Sequence, residues 1–191
     1  MDAGRRDRAD GYRDGQVEGS GDPTRIMDVL VAGGSGFVGR PLCRVLDEWG
    51  HEVTAASHSP DVPGLPGGVE TAVLDATRED VDATVAGHDA VVNLVALPAH
   101  VEPRDRSHET VHLGGTRRLV AASERTGVER FVQMSALGVD SGIDTAYFRA
   151  KRDAERWSGN RPWSGSSTGR PSSSAAAVRS SRSSSGASRR P

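Results

Sequence analysis

The sequence predicts a doubly wound α/β fold: a parallel sheet with helices on both faces, incomplete at its C-terminal edge. Three observations predict it. A short apolar run at 29–32 leads straight into Gly33, Gly36 and Gly39, and a helical pattern follows. Strand-like and helix-like runs then alternate through residues 27–156. The strand-like runs are nearly all apolar, as expected where both faces of a sheet are covered.

The glycine turn comes first. A helix N-terminus presents unpaired N–H groups and the positive end of a dipole. A pyrophosphate can sit there if no side chain blocks it. Gly33 permits the turn, Gly36 leaves room for the phosphates, and Gly39 allows close packing. Strands are expected at 27–32, 52–56, 69–74, 89–95 and 129–135, and helices at about 37–49, 78–86 and 107–126. A last helix begins near Thr145. The right-handed crossover rule joins these units into the doubly wound arrangement.

Three segments differ in composition. Residues 1–26 are charged and glycine-rich and hold too little apolar surface to fold. Met27 directly precedes the first strand, so this segment reads as disordered or as a misassigned extension upstream of the natural start. Residues 27–156 carry 20 acids and 13 bases and form the expected nucleotide-binding domain. That acidity argues against nucleic-acid binding. Residues 157–191 hold thirteen serines and six arginines but no acid, and read as a disordered tail. Back-translated and shifted by one base, 163–171 can instead read Leu-Glu-Trp-Val-Val-Tyr-Arg-Pro-Ser, a strand-like run. The expectation is a frameshift after Glu155, with a plain disordered tail as the alternative.

The single cysteine, Cys43, excludes an internal disulfide and fits a reducing, cytoplasmic setting. No apolar run reaches the roughly 18 residues of a membrane span.

Tyr147 and Lys151 stand four apart, on one face of the last helix. Lys151 is the only lysine beside 23 arginines. A free tyrosine ionises near pH 10, too high for acid–base work at neutrality. A neighbouring ammonium favours the phenolate, and lysine can also bond a ribose hydroxyl. Ser135 closes a strand, where its hydroxyl could polarise a substrate carbonyl. The alternative is a strand-end serine bonded to its own backbone.

The chain resembles the short-chain dehydrogenase/reductase superfamily, in its extended and atypical branches, whose nucleotide-binding domain is of the Rossmann type. The matching residues are Gly33-Gly34-Ser35-Gly36-Phe37-Val38-Gly39, Leu74-Asp75, Asn93-Leu94-Val95-Ala96, Ser135, Tyr147 and Lys151. The stretch from Gly114-Gly115-Thr116 to Ser135-Ala136-Leu137-Gly138 is most similar to the subgroup related to the NADH dehydrogenase (complex I) accessory subunit. The resemblance covers residues 27–156. It implies an oxidoreductase in which Ser135, Tyr147 and Lys151 form the catalytic set. Gly33, Ser35, Gly36, Phe37, Val38 and Gly39 would hold the dinucleotide phosphates. Asp75 and Ala76 would meet the adenine, Val95 and Ala96 the adenosine side, and Lys151 a ribose hydroxyl.

Two departures stand out. An acid usually follows the second strand where NAD is chosen, to bond the ribose 2′-hydroxyl. Here Ser57 and His58 occupy that place, and Arg40 could meet a 2′-phosphate. The expectation leans to NADP over NAD, with a solvated His58 as the alternative. The Ser/Arg tail also stands where relatives carry a substrate-binding region. Metal binding is not expected: His108 and His112 are four apart, but no glutamate supplies a zinc-protease pattern. The partners expected are a nicotinamide dinucleotide and a small-molecule substrate. Two alternatives remain: a non-catalytic NAD(P)-binding accessory or redox-sensing module with a protein partner, and a truncated, inactive family member.

Overall fold

The computed structural model describes residues 25–59, 62–78 and 80–159. The expected N-terminal extension up to residue 24 and the Ser/Arg-rich tail from residue 160 lie outside the described residues, as does the stretch read for a frameshift.

Five strands form one parallel sheet: β1 (Asp28–Ala32), β2 (Glu52–Ser57), β3 (Val69–Val73), β4 (Ala90–Asn93) and β5 (Arg130–Gln133). Their order is β3-β2-β1-β4-β5, so the order in which strands are added reverses between β1 and β4. Ligands in such sheets bind at that switch, beyond the carboxyl ends of the strands. The helices are α1 (Gly39–Glu48), α2 (Asp82–Val85), α3 (Gly115–Thr126) and α4 (Ala146–Gly159).

Strand alternation feeds two cores. Leu30 and Ala32 join Val85 of α2, Leu119 and Val120 of α3 and Phe131 of β5 on one face. Val29 and Val31 join Cys43 of α1, Val53 and Ala55 on the other. Burial drives the Cys43 thiol up to about 11, so it packs as a small apolar group. Arg117 lies over the Trp157 ring at 4.9 Å, tying the end of α4 to α3.

Several boundaries depart from expectation. α1 starts at Gly39 rather than near 37, because the glycine turn still occupies Phe37. α2 is a single turn, and α4, expected to begin near Thr145, runs Ala146–Gly159. β4 stops at Asn93 because that side chain replaces the strand ladder. Its Oδ1 accepts the Val95 N–H at 3.1 Å, while its Nδ2 donates to Thr116 Oγ1 and Gln133 Oε1. The helix expected over 107–126 opens as a π-helical turn, Glu109–Gly114.

Candidate cofactor and catalytic site

The switch point carries a cavity of about 260 Å³. It unites nine of the expected cofactor residues: Gly33, Ser35 and Gly36 from the turn, Ser57 and His58 after β2, Asp75 and Ala76 after β3, and Val95 and Ala96 after β4. Phe37, Val38, Gly39, Arg40 and Lys151 do not line it, and Phe37 is 97% exposed.

The turn is built from glycines for distinct reasons. Gly33 has φ +89°, a left-handed conformation that suits a residue without Cβ. A Cβ on Gly39 would strike the Gly33 carbonyl and the Gly34 backbone. The third glycine thus packs the helix start onto the turn itself. Gly34, which carried no assigned role, packs on β2: a Cβ there would lie 2.7 Å from Ala55 Cβ.

Asp75 is already engaged. Thr77 donates to its Oδ1 from the hydroxyl at 2.6 Å and from the backbone at 3.0 Å. Those bonds, Thr77's hydroxyl foremost, hold the carboxyl below its usual range, with Arg106 and Arg78 adding to the effect. Arg106 reaches the other oxygen, Oδ2, at 3.4 Å and lines the cavity. Sequence reading missed Arg106, which lies thirty-one residues from its partner in a segment without periodicity. It also missed Leu97 and Val111, and gave Leu74 and Leu94 no part in the apolar walls they form with them.

After β2, the buried Ser57 hydroxyl donates to the Ser59 carbonyl at 2.5 Å. The exposed His58 therefore offers the freer side chain at that rim.

The residues expected to be catalytic gather at the end of β5. Ser135 is 7% exposed, and its Oγ has no hydrogen-bond partner among the described residues. Thr145 starts α4 by accepting the Phe148 N–H on its side-chain oxygen. This sets Tyr147, half-buried, and Lys151, 2% exposed, on the inner side of the helix. Lys151 Nζ donates to the carbonyl of Met134, next to Ser135, at 3.2 Å. Burial lowers the ammonium to about 8, and Glu155 opposes that shift. The expected lowering of the tyrosine by its lysine is not found. Burial raises the Tyr147 hydroxyl above its usual value, while the lysine is directed to a backbone carbonyl.

The donor set fits a nicotinamide dinucleotide. Open glycine backbone suits phosphates, an engaged carboxylate suits an adenine amine or a hydroxyl, and apolar walls suit a flat ring.

Comparison with known proteins agrees with this geometry. A model of the NAD(P)H-binding family matches residues 33–162. A 3-beta-hydroxysteroid dehydrogenase from Mycolicibacterium neoaurum is 40% identical over 134 residues, covering 64% of this chain and 36% of that protein. A mitochondrial NADH dehydrogenase (ubiquinone) 1 alpha subcomplex subunit 9 from Arabidopsis thaliana is 30% identical, covering 72% of this chain and 37% of that protein. The solved structure of MoeE5 in complex with UDP-glucose and NAD is 30% identical with a TM-score of 0.58, covering 68% of this chain and 47% of that one. The chain thus spans about a third of the length of most of the curated relatives it matches. Among the described residues, no helix is long and apolar enough to cross a membrane.

Proposed function

We propose that this chain, which belongs to the NAD(P)H-binding family, works as an oxidoreductase of the short-chain dehydrogenase type on a small alcohol or carbonyl. One observation carries the reading: the buried Ser135 hydroxyl, without a hydrogen-bond partner among the described residues, stands at the same strand end as the Lys151–Met134 bond and the Tyr147 helix. An unsatisfied buried hydroxyl costs about 1–3 kcal/mol, a cost that a substrate oxygen would remove.

The glycine turn, Asp75, Ala76, Val95 and Ala96 would hold the dinucleotide, whose nicotinamide supplies or accepts the hydride. Tyr147 gives its phenolic proton to a carbonyl oxygen during reduction and takes it back during oxidation. Ser135 orients that oxygen by donating a hydrogen bond. Lys151, buried, of lowered basicity and held at the Met134 carbonyl, would bond a ribose hydroxyl of the cofactor.

NADP(H) is the proposed form. The carboxyl end of β2 presents Ser57 and His58 instead of an acid that would repel a 2′-phosphate. Arg40 lies exposed just after the turn, available to that phosphate.

The test is direct. The full chain is titrated with NADPH and NADH by nucleotide fluorescence, then assayed on a panel of alcohols and carbonyls that includes a 3-hydroxysteroid. Tighter binding of NADPH and turnover lost in Tyr147→Phe support the reading. Cofactor binding with an inert panel, together with a protein partner recovered by pull-down, supports the accessory alternative.

A further inference from the structure

His108 and His112 have no role in the site described so far, yet they lie against its tyrosine. Both are buried, at 4% and 2% exposed. Their rings stack, with centroids 5.6 Å apart and planes 16° from parallel. The Tyr147 ring stands nearly perpendicular to both, 5.5 Å from His108 and 5.3 Å from His112. Nδ1 of His108 and both ring nitrogens of His112 complete no hydrogen bond among the described residues, although the Leu97 carbonyl faces the His112 ring. No third metal-ligating side chain joins them among the described residues. A leucine pair could fill this space without leaving buried polar atoms unsatisfied. The choice of two imidazoles against one phenol therefore points to chemistry at that phenol.

We propose that His112, backed by His108, is a positioning residue that sets the ionisation of Tyr147. The inference rests on the role given to Tyr147 above. A neutral imidazole carries one N–H donor and one acceptor nitrogen. With its N–H turned to the Tyr147 oxygen it would favour the phenolate without adding charge.

The charged and titratable groups around it are few. From α4, Lys151 and Tyr147 face His112. From its own turn comes His108, whose backbone N–H donates to Glu102. Glu155 bears on Lys151. Burial first, then the Lys151 and His108 charges, hold His112 down to about 3. It is therefore a neutral dipole at working pH, not a second cation competing with Lys151.

The chain has two tyrosines, Tyr12 and Tyr147. Subtracting the Tyr147→Phe variant thus isolates the phenolate absorbance of Tyr147 in an alkaline titration of the full chain. His112→Leu is expected to raise the Tyr147 midpoint by about one pH unit, a tenfold change in its ionisation constant. His112→Gln, which keeps a donor and an acceptor, is expected to restore at least half of that shift. In the native chain, the His112 ring-nitrogen NMR shifts should move at the Tyr147 midpoint, a readout that needs no variant to fold. An unmoved midpoint in folded His112→Leu overturns the inference. So do His112 shifts that ignore Tyr147. A native chain that binds neither NADPH nor NADH would instead overturn the reading of the site beneath it.

Discussion

The Lys151 ammonium is bonded to the Met134 carbonyl at 3.2 Å, one residue before Ser135. A buried cation on α4 is thereby fixed to the end of β5, and the three residues proposed as catalytic share one anchor. The arrangement costs stability. With its basicity lowered to about 8, the folded chain releases a proton that the unfolded chain keeps up to about 10.5. The unfolded state binds more protons in that window, so the penalty is full below pH 8 and fades as pH rises. Native stability should gain about 1 kcal/mol from this group between pH 8 and 9. Lys151→Met should lose that gain. Urea midpoints of both proteins at the two pH values check it, and the Cys43 thiol, which acts in the opposite direction, cancels in the comparison.

His112 gives the opposite edge of the pH range. Its lowered folded value, about 3, lies below the ordinary 6.5. The unfolded state therefore takes up protons first as pH falls, and stability drops with it. Between pH 7.5 and 5 the native chain should lose about 2 kcal/mol through this ring. His112→Leu should lose little, as chemical denaturation at the two pH values would reveal.

Gly39→Ala should damage both the fold and cofactor binding. The new methyl meets the Gly33 carbonyl and the Gly34 backbone, neither of which is a flexible side-chain end. Overpacking of this kind costs about 1–3 kcal/mol. Thermal unfolding with and without NADPH should show a lower midpoint and a lost ligand-induced rise. Gly36→Ala, whose Cβ meets only the Gly33 carbonyl at 3.2 Å, should keep the fold and mainly weaken binding.

Arg106→Ala should free Asp75 Oδ2 while leaving both Thr77 bonds intact. The pair is partly exposed, with side chains at 40% and 24%, so stability should change by less than about 1 kcal/mol. Cofactor affinity should respond more strongly, because Arg106 and Asp75 face the same cavity. Calorimetric titration with NADPH separates the two effects.

Much of this molecule is legible in its sequence because its signals are local. The glycine turn, the apolar strands and the Tyr147–Lys151 spacing each lie within a few residues, and local periodicity is what sequence reading detects. The strand set and the glycine turn at Gly33 follow from it, while Asp75 and Ala96 are reached through the family resemblance. What escapes is set by contacts distant in sequence. Arg106 finds Asp75 across thirty-one residues, and the His108–His112 pair meets Tyr147 only after α4 folds back onto the π-helical turn. The ionisation of Tyr147 escapes for the same reason. Helical spacing places an ammonium nearby, but burial and the competing Met134 carbonyl decide what it does.

The π-helical turn at Glu109–Gly114 has a consequence of its own. A π-turn holds about one residue more than an α-turn, so it behaves as an inserted letter in an otherwise regular helix. Removing one residue between His108 and His112 would let α-helical bonding resume and shorten their spacing from four residues to three. The pair would stay on one helix face, as residues three apart do, but the set of its rings against Tyr147 would change. At this place the chain is sensitive to counting. Length changes, which alignments commonly discount as gaps, should do here what point substitutions do elsewhere.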